Sequence, residues 1–252
     1  MRQDGETEQR IARLEEEIRL RDEFISIAAH ELRNPLTPIS LDVEMLLMQA
    51  RRRPHVDPAE IAHLERLQRN LRTFLRRAST LLDVTRLQSG NLALESRSVV
   101  LADIVRQVVA SSAPLAEQAR CDLRVETDDS VVGECDPQAL ERIVENLLSN
   151  ALRFGAGLPV DVRLRRAAGA AELQVADHGI GIAVAEQERI FKRFHRAPGA
   201  DVPGFGVGLW ITRALARAMD GDVTVSSSPG EGATFILRMP LRRRRDAAHV
   251  DT

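Results

Sequence analysis

Apolar residues in the first third of the chain step by three and four. They fall at Ile11, Leu14 and Ile18, then at Ile25, Ala29, Leu32, Leu36, Ile39, Val43 and Leu46. That spacing makes a helical stripe, close to the heptad spacing of a coiled coil. The run from Arg51 to Pro58 breaks it, and Asp57 followed by Pro58 predicts the N-cap and first position of a new helix. A second stripe runs through Leu64, Leu67, Leu71, Phe74, Ala78 and Leu81 and stops at Ser89-Gly90, a C-terminal signal. Two long helices and a short turn predict an antiparallel hairpin. One broad apolar face cannot be buried within such a hairpin, so pairing with a second copy into a four-helix bundle is expected.

The pattern changes after a polar joint at Ser96-Arg97-Ser98. Leu101 to Ala119 reads as a helix, and Cys121 to Thr127 and Ser130 to Cys135 as half-buried strands. Asp136-Pro137 opens a helix by cap and proline, running to about Phe154. Val160 to Arg165 and Ala171 to Ala176 read as strands, and a glycine-punctuated loop leads to a helix over about Val207 to Met219. Asp222 to Ser227 and Ala233 to Met239 close the region as strands. One sheet with helices on one face is predicted, giving an α+β multidomain chain with a helical hairpin followed by an α/β two-layer sandwich. The expected divisions are a coiled-coil-like helix over 1–21, the hairpin over 22–95, the α/β domain over 96–241 and a solvated basic tail over 242–252.

Composition narrows the classes. Hydrophobic content of 44% and charged content of 29% describe a globular chain, and a net charge of −2 argues against a general nucleic-acid or membrane-surface binder. No apolar run reaches the roughly 20 residues that cross a bilayer, and the charged start is no signal peptide, so no membrane segment and a cytoplasmic location are expected. Cys121 and Cys135 fit neither a disulfide framework nor a metal site and read as small strand residues. Of 35 basic residues only Lys192 is a lysine, for which biased codon usage is the plainest account.

Three features in the second half ask for a nucleotide. Asp177-His178-Gly179-Ile180-Gly181 places a carboxylate at a strand end, followed by two glycines. A carboxylate there can accept from the amino group of a base, and Gly179 and Gly181 let a flat ring approach the backbone. Gly204, Gly206, Gly208 and Leu209 open a helix whose free N–H groups suit phosphate oxygens. Asn146 and Asn150 lie four apart on one helix, a pair of neutral oxygen ligands suited to magnesium shared with phosphates. Each feature has an ordinary rival: a tight turn, a hinge, or capping and surface asparagines. Neither loop is a Walker A motif or a dinucleotide fingerprint.

The order of these features resembles a known family. Glu145-Asn146-Leu147-Leu148-Ser149-Asn150-Ala151-Leu152-Arg153-Phe154 is similar to the N box of two-component sensor histidine kinases. Asp177 to Gly181 resembles the G1 box, Ile190 to Phe194 the F box, and Gly204 to Leu209 the G2 box. Gly230-Glu231-Gly232-Ala233-Thr234 resembles the glycine-rich box before the last strand. Phe24 to Leu36, with His30-Glu31-Leu32-Arg33-Asn34 at its centre, resembles the H box that carries the phosphoacceptor histidine. The similarity covers roughly residues 20 to 240.

The resemblance implies a Bergerat-type ATP-binding domain and transfer of the γ-phosphoryl group of ATP to His30, then to an aspartate of a response-regulator partner. It further implies Glu31 as general base, Asn150 as magnesium ligand, Arg153 and the G2 loop on phosphates, Phe154 and Asp177 on adenine, and Thr234 in the nucleotide pocket. His30-Glu31-x-x-Asn34 is similar to kinases that also dephosphorylate their partner, with the Asn34 amide orienting water. Departures are His178 where asparagine is commonest, Phe154 where tyrosine is usual, and Trp210 where a small residue is frequent. The rival from another class is an ATP-binding docking protein with negligible catalysis. A third option is a Bergerat-fold ATPase, which the H box disfavours. Two consecutive four-residue steps after Arg21 predict a stutter just before His30, beside the helix-weakening Pro35 and Pro38.

Overall fold

The structure, a computed structural model, describes residues 36, 38–53, 57–88, 94–197 and 206–242. The chain divides into two compact units, Met1–Leu92 and Ala93–Thr252. The expected stutter region and the tail beyond Arg242 lie outside the described residues.

In the first unit, helix α1 covers 38–52 and α2 covers Pro58–Gln88. The Asp57 carboxylate accepts the Ala59 N–H at 2.8 Å, the cap that the Asp-Pro pair predicts. Arg51 pairs with Glu65 at 2.8 Å and Arg53 with Glu60 at 3.3 Å, tying the turn to α2. The predicted stripe splits into two rows. Val43, Leu47 and Ala50 are at most 5% exposed, whereas Ile39 and Leu46 stand 46% and 49% exposed. On α2, Leu64 and Leu71 are half-buried while Leu67 and Phe74 are exposed. The reason is geometric: in a two-helix hairpin the crossing covers a narrow row, and a stripe about a turn wide leaves its other edge uncovered.

The second unit begins with strand β1 (Arg97–Val100) and helix α3 (Leu101–Ala119), then β2 (Leu123–Thr127) and β3 (Val132–Cys135). Helix α4 (Pro137–Phe154), β4 (Val160–Ala167) and β5 (Ala170–Asp177) follow. A short α5 (Val184–Gln187) and a 3₁₀ turn at Arg189–Phe191 lead to α6 (Gly208–Ala218), β6 (Asp222–Ser227) and β7 (Ala233–Pro240). The five-stranded sheet has the order β2-β4-β5-β7-β6, with β2 parallel to β4 and the other pairs antiparallel.

Two features differ from the sequence expectation of a single sheet and an irregular loop. Arg97–Val100 is a strand, not a joint, and it pairs only with β3, in a separate antiparallel ribbon with Arg97 opposite Cys135. That partner is distant in sequence, so local pattern cannot show it. Similarly, α5 and the 3₁₀ turn occupy what reads as loop, because elements of three or four residues are too short to display a period.

Leu140, Ile143, Leu147 and Leu148 of α4 are buried, as are Val175 of β5 and Phe235 and Leu237 of β7. Alternation assigns the other sheet face to Glu172, which receives Arg165 at 2.9 Å and Arg238 at 2.7 Å from the flanking strands. Those two bonds hold the Glu172 carboxyl below its ordinary pKa. No helix among the described residues is long and apolar enough to cross a membrane.

Candidate functional site

Helix α4 supports the site. Its N-cap, Asp136, accepts the N–H groups of Gln138 at 2.9 Å and Ala139 at 3.1 Å, an arrangement contributing about 1 kcal/mol. Its apolar face from Ala139 to Ala151 is buried, which leaves Asn146, Asn150 and Phe154 half-buried and Arg153 exposed.

Asp177 ends β5 and is only 5% exposed. Its Oδ1 accepts the Gly179 N–H at 2.9 Å. Burial pushes its pKa up, opposed by the backbone donors of Gly179 and Ala233. The loop after it is fitted against the end of α4: Ile180 donates to the Phe154 carbonyl at 3.3 Å, and a Cβ on Gly179 would lie 1.8 Å from that same oxygen. Glycine is therefore required there by close approach of two backbones. On the far side of the loop, Ser227 Oγ accepts from Ile182 N–H at 2.8 Å and donates to the Gly232 carbonyl at 2.6 Å. His178 stands 54% exposed with its ring 3.3 Å from the Asp161 carboxylate.

Helix α6 also packs on α4. The N–H groups of its first turn have no acceptor within the helix, and no side chain caps it. Asn146 reaches across from α4, donating through Nδ2 to Thr212 Oγ1 at 2.7 Å. Thr212 is 1% exposed, and a Cβ on Gly208 would stand 2.5 Å from Asn146 Oδ1.

The sequence expectations fare unevenly. Asn146, Asn150 and Phe154 lie on α4, Asp177, Gly179 and Gly181 at the end of β5 and in the loop after it, and Gly206, Gly208 and Leu209 at or just before the start of α6. The two asparagines differ, however: the Asn146 amide is engaged by Thr212, while the Asn150 side chain makes no hydrogen bond to a described residue. Thr234 faces away from Asp177. Asp177 is opposite Ala233 and Ala176 opposite Thr234, so Thr234 projects from the other sheet face, the one bearing Arg238 and Glu172. One position of strand register turns a side chain to the other face, and the glycine-rich box does not reveal that register. His30, Glu31, Asn34 and Gly204 lie outside the described residues. Sequence reasoning missed Thr212. Its signal was the four-residue step from Gly208, which puts both on the α6 face toward α4. Among the described residues no group of three or more His, Cys, Asp or Glu side chains could hold a metal ion.

Comparisons with known proteins place the chain in a family. Residues 135–243 match the family model "Histidine kinase-, DNA gyrase B-, and HSP90-like ATPase", and residues 20–90 match "His Kinase A (phospho-acceptor) domain". The sensor histidine kinase MtrB of Mycobacterium tuberculosis (strain CDC 1551 / Oshkosh) is 32% identical over 237 residues, covering 92% of this chain and 41% of that protein. The signal transduction histidine-protein kinase BarA of Escherichia coli (strain K12) is 30% identical over 241 residues, covering 91% of this chain and 26% of that protein. The chain thus spans less than half the length of these curated relatives. Among solved structures, full-length ShkA in complex with AMPPNP superposes with a TM-score of 0.69 at 24% identity, covering 88% of this chain and 46% of ShkA. The mycobacterial sensor histidine kinase MprB gives 0.52 at 25% identity over 59% of this chain and 99% of that one. The two family matches and the full-span relatives lead to one conclusion: the chain belongs to the sensor histidine kinases of two-component systems.

Proposed function

We propose that the chain is an ATP-dependent histidine autokinase core that phosphorylates His30 and passes the phosphoryl group to an aspartate of a response-regulator receiver domain. The observation that carries this reading is the pairing, in one chain, of a phospho-acceptor match spanning His30 with an ATPase-type match holding the Asp177 site. Asp177 would read the adenine amino group, since a nearly buried carboxylate beside Gly179 keeps acceptor capacity for a charge-assisted bond. The first turn of α6 would take phosphate oxygens through its N–H groups. Phosphoryl transfer asks chiefly for alignment and charge neutralisation.

A neutral imidazole, with pKa ordinarily about 6.5, offers His30 a nitrogen lone pair at neutral pH. Glu31 would hold the other ring proton as general base, and Asn34 would orient water when the regulator is dephosphorylated. The donors present fit magnesium only as a shared ligand. Asn150 offers a neutral oxygen, Arg153 adds positive charge at the same helix end, and no described acidic cluster could hold the ion alone. Magnesium there would neutralise phosphate charge. Dimerisation is supported by the uncovered row at Ile39, Leu46, Leu67 and Phe74, which a second hairpin would bury.

Incubation with γ-labelled ATP tests the reading. An acid-labile, alkali-stable phosphoprotein is expected from the chain, and none from His30→Gln, whose ATP binding stays near wild type. ATP binding without any phosphoprotein would favour a docking protein with a kinase fold.

A further inference from the structure

The 3₁₀ turn with the residues just after it and helix α6 grip each other by two cation–π contacts of opposite sense. Arg193 sends its guanidinium toward α6, lying 4.5 Å from the Phe194 ring centroid and 5.8 Å from that of Trp210. In return, Arg213 of α6 lies 4.7 Å over the ring of Phe191. The two cations are held differently. Arg213 is also paired with Glu188 at 2.9 Å and Asp222 at 3.0 Å. Arg193 has no hydrogen bond or ion pair to a described residue, and its Nε is buried without an acceptor. A buried donor without an acceptor is costly, so the aromatic faces are what retain this cation. Trp210 lies in the first turn of α6, two residues before the Thr212 that bonds Asn146. The stack and the Asn146 bond therefore hold one turn of helix from two sides.

We infer that Trp210 is a positioning residue for the nucleotide: stacked on Arg193, it fixes the first turn of α6 in the orientation that presents its N–H groups to phosphate. The inference rests on the nucleotide reading above. A residue that only packs α6 would affect stability alone, whereas a positioning residue also changes nucleotide affinity. Occupancy of that turn must in turn change the surroundings of the indole, because linkage is reciprocal.

The chain offers a direct readout, since Trp210 is its single tryptophan and tyrosine is absent. The full chain is titrated with magnesium and a non-hydrolysable ATP analogue, following tryptophan emission and, in parallel, calorimetry. A saturable emission change that tracks the calorimetric isotherm is expected. Arg193→Gln should weaken nucleotide binding by about twofold to fivefold, the range a partly exposed cation–π contact supports. The KM for ATP should rise with it while kcat at saturating ATP stays within about twofold. Arg193→Lys and Trp210→Phe should each restore most of the affinity, because they keep a cation and an aromatic face, and Trp210→Leu should not. Unchanged affinity in Arg193→Gln and Trp210→Leu, even with a lowered Tm, would overturn the inference and leave the nucleotide reading standing. A silent tryptophan while calorimetry reports binding would do the same. Absence of binding to the wild-type chain would remove the nucleotide reading and this inference with it. Should Arg193→Gln fail to fold, Trp210→Leu and the wild-type emission decide.

Discussion

At the Asp177 end of the site backbone is fitted to backbone. Ile180 N–H meets the Phe154 carbonyl, and Gly230 N–H meets the Ile180 carbonyl at 2.8 Å. At the α6 end the contacts are made by side chains: Asn146 on Thr212, Arg193 on Trp210 and Arg213 on Phe191. A wall of interlocked main chain leaves little room for adjustment, because a substitution there meets atoms that cannot rotate away. A wall made of side chains can yield by rotamer changes, at roughly 0.5–1.5 kcal/mol for an off-rotamer angle. The Asp177 end is therefore expected to fail abruptly under mutation and the α6 end gradually.

The largest effect follows from Gly179→Ala. Its new Cβ would fall 1.8 Å from the Phe154 carbonyl oxygen, so one of the two backbones must move. Overpacking of that kind costs on the order of 1–3 kcal/mol or more, and the shift would carry Asp177 and Phe154 apart. Nucleotide binding should become undetectable by calorimetry, with a lower Tm. Binding within tenfold of wild type would show that the loop is softer than its contacts imply.

Asp177→Asn comes next, and stability and affinity should part. Binding should weaken by about 1.5–3 kcal/mol through loss of a charge-assisted hydrogen bond. Stability should move the other way. Burial raises the folded pKa of Asp177 above 3.8, so the stability linked to its proton is fully present below that value and lost as pH rises through the folded pKa. At neutral pH the ionised carboxylate destabilises the fold, and the amide should raise Tm while removing that part of the pH slope. Thermal melts across pH 3 to 8, read with calorimetry, check both signs. An equal Tm at every pH would show the charge to be well solvated.

The same contrast explains what the sequence could and could not reveal. Residues Asp177 to Gly181 are consecutive, so the Asp177 end is legible in a string of five letters. The capped helix α4 is equally local, since Asp136 and Pro137 announce its start and its apolar period marks the buried face. The α6 end depends on pairs 66 and 17 residues apart, Asn146 with Thr212 and Arg193 with Trp210, which only the folded chain unites. The facing of Thr234 is hidden for a related reason: the box predicts a turn and a strand, but the facing of each residue depends on pairing Asp177 with Ala233. In the hairpin the period of the stripe was readable. Which row is buried within one chain and which stays exposed was not, because both rows share that period.

The smallest effect, and the sharpest for the α6 wall, concerns Asn146. The sequence suggests a ligand for magnesium or phosphate, whereas in the structure its Nδ2 donates to the buried Thr212 hydroxyl. Thr212→Val keeps shape and removes the acceptor, leaving an amide donor half-buried without its partner, at about 1–2 kcal/mol in stability. Thr212→Ser keeps the oxygen and should behave as wild type. If Asn146 acts by holding α6, Thr212→Val and Asn146→Ala should weaken nucleotide binding by similar factors, and the double variant should be little worse than either. That non-additivity marks residues working through one contact. If Asn146 instead touches the ligand, Asn146→Ala will weaken binding while Thr212→Val leaves it intact, and the two effects will add. The two-variant cycle, measured by calorimetry with magnesium and a non-hydrolysable ATP analogue, separates these roles. Shape retention at Thr212 is what gives the result its meaning, because any loss then comes from the hydroxyl alone.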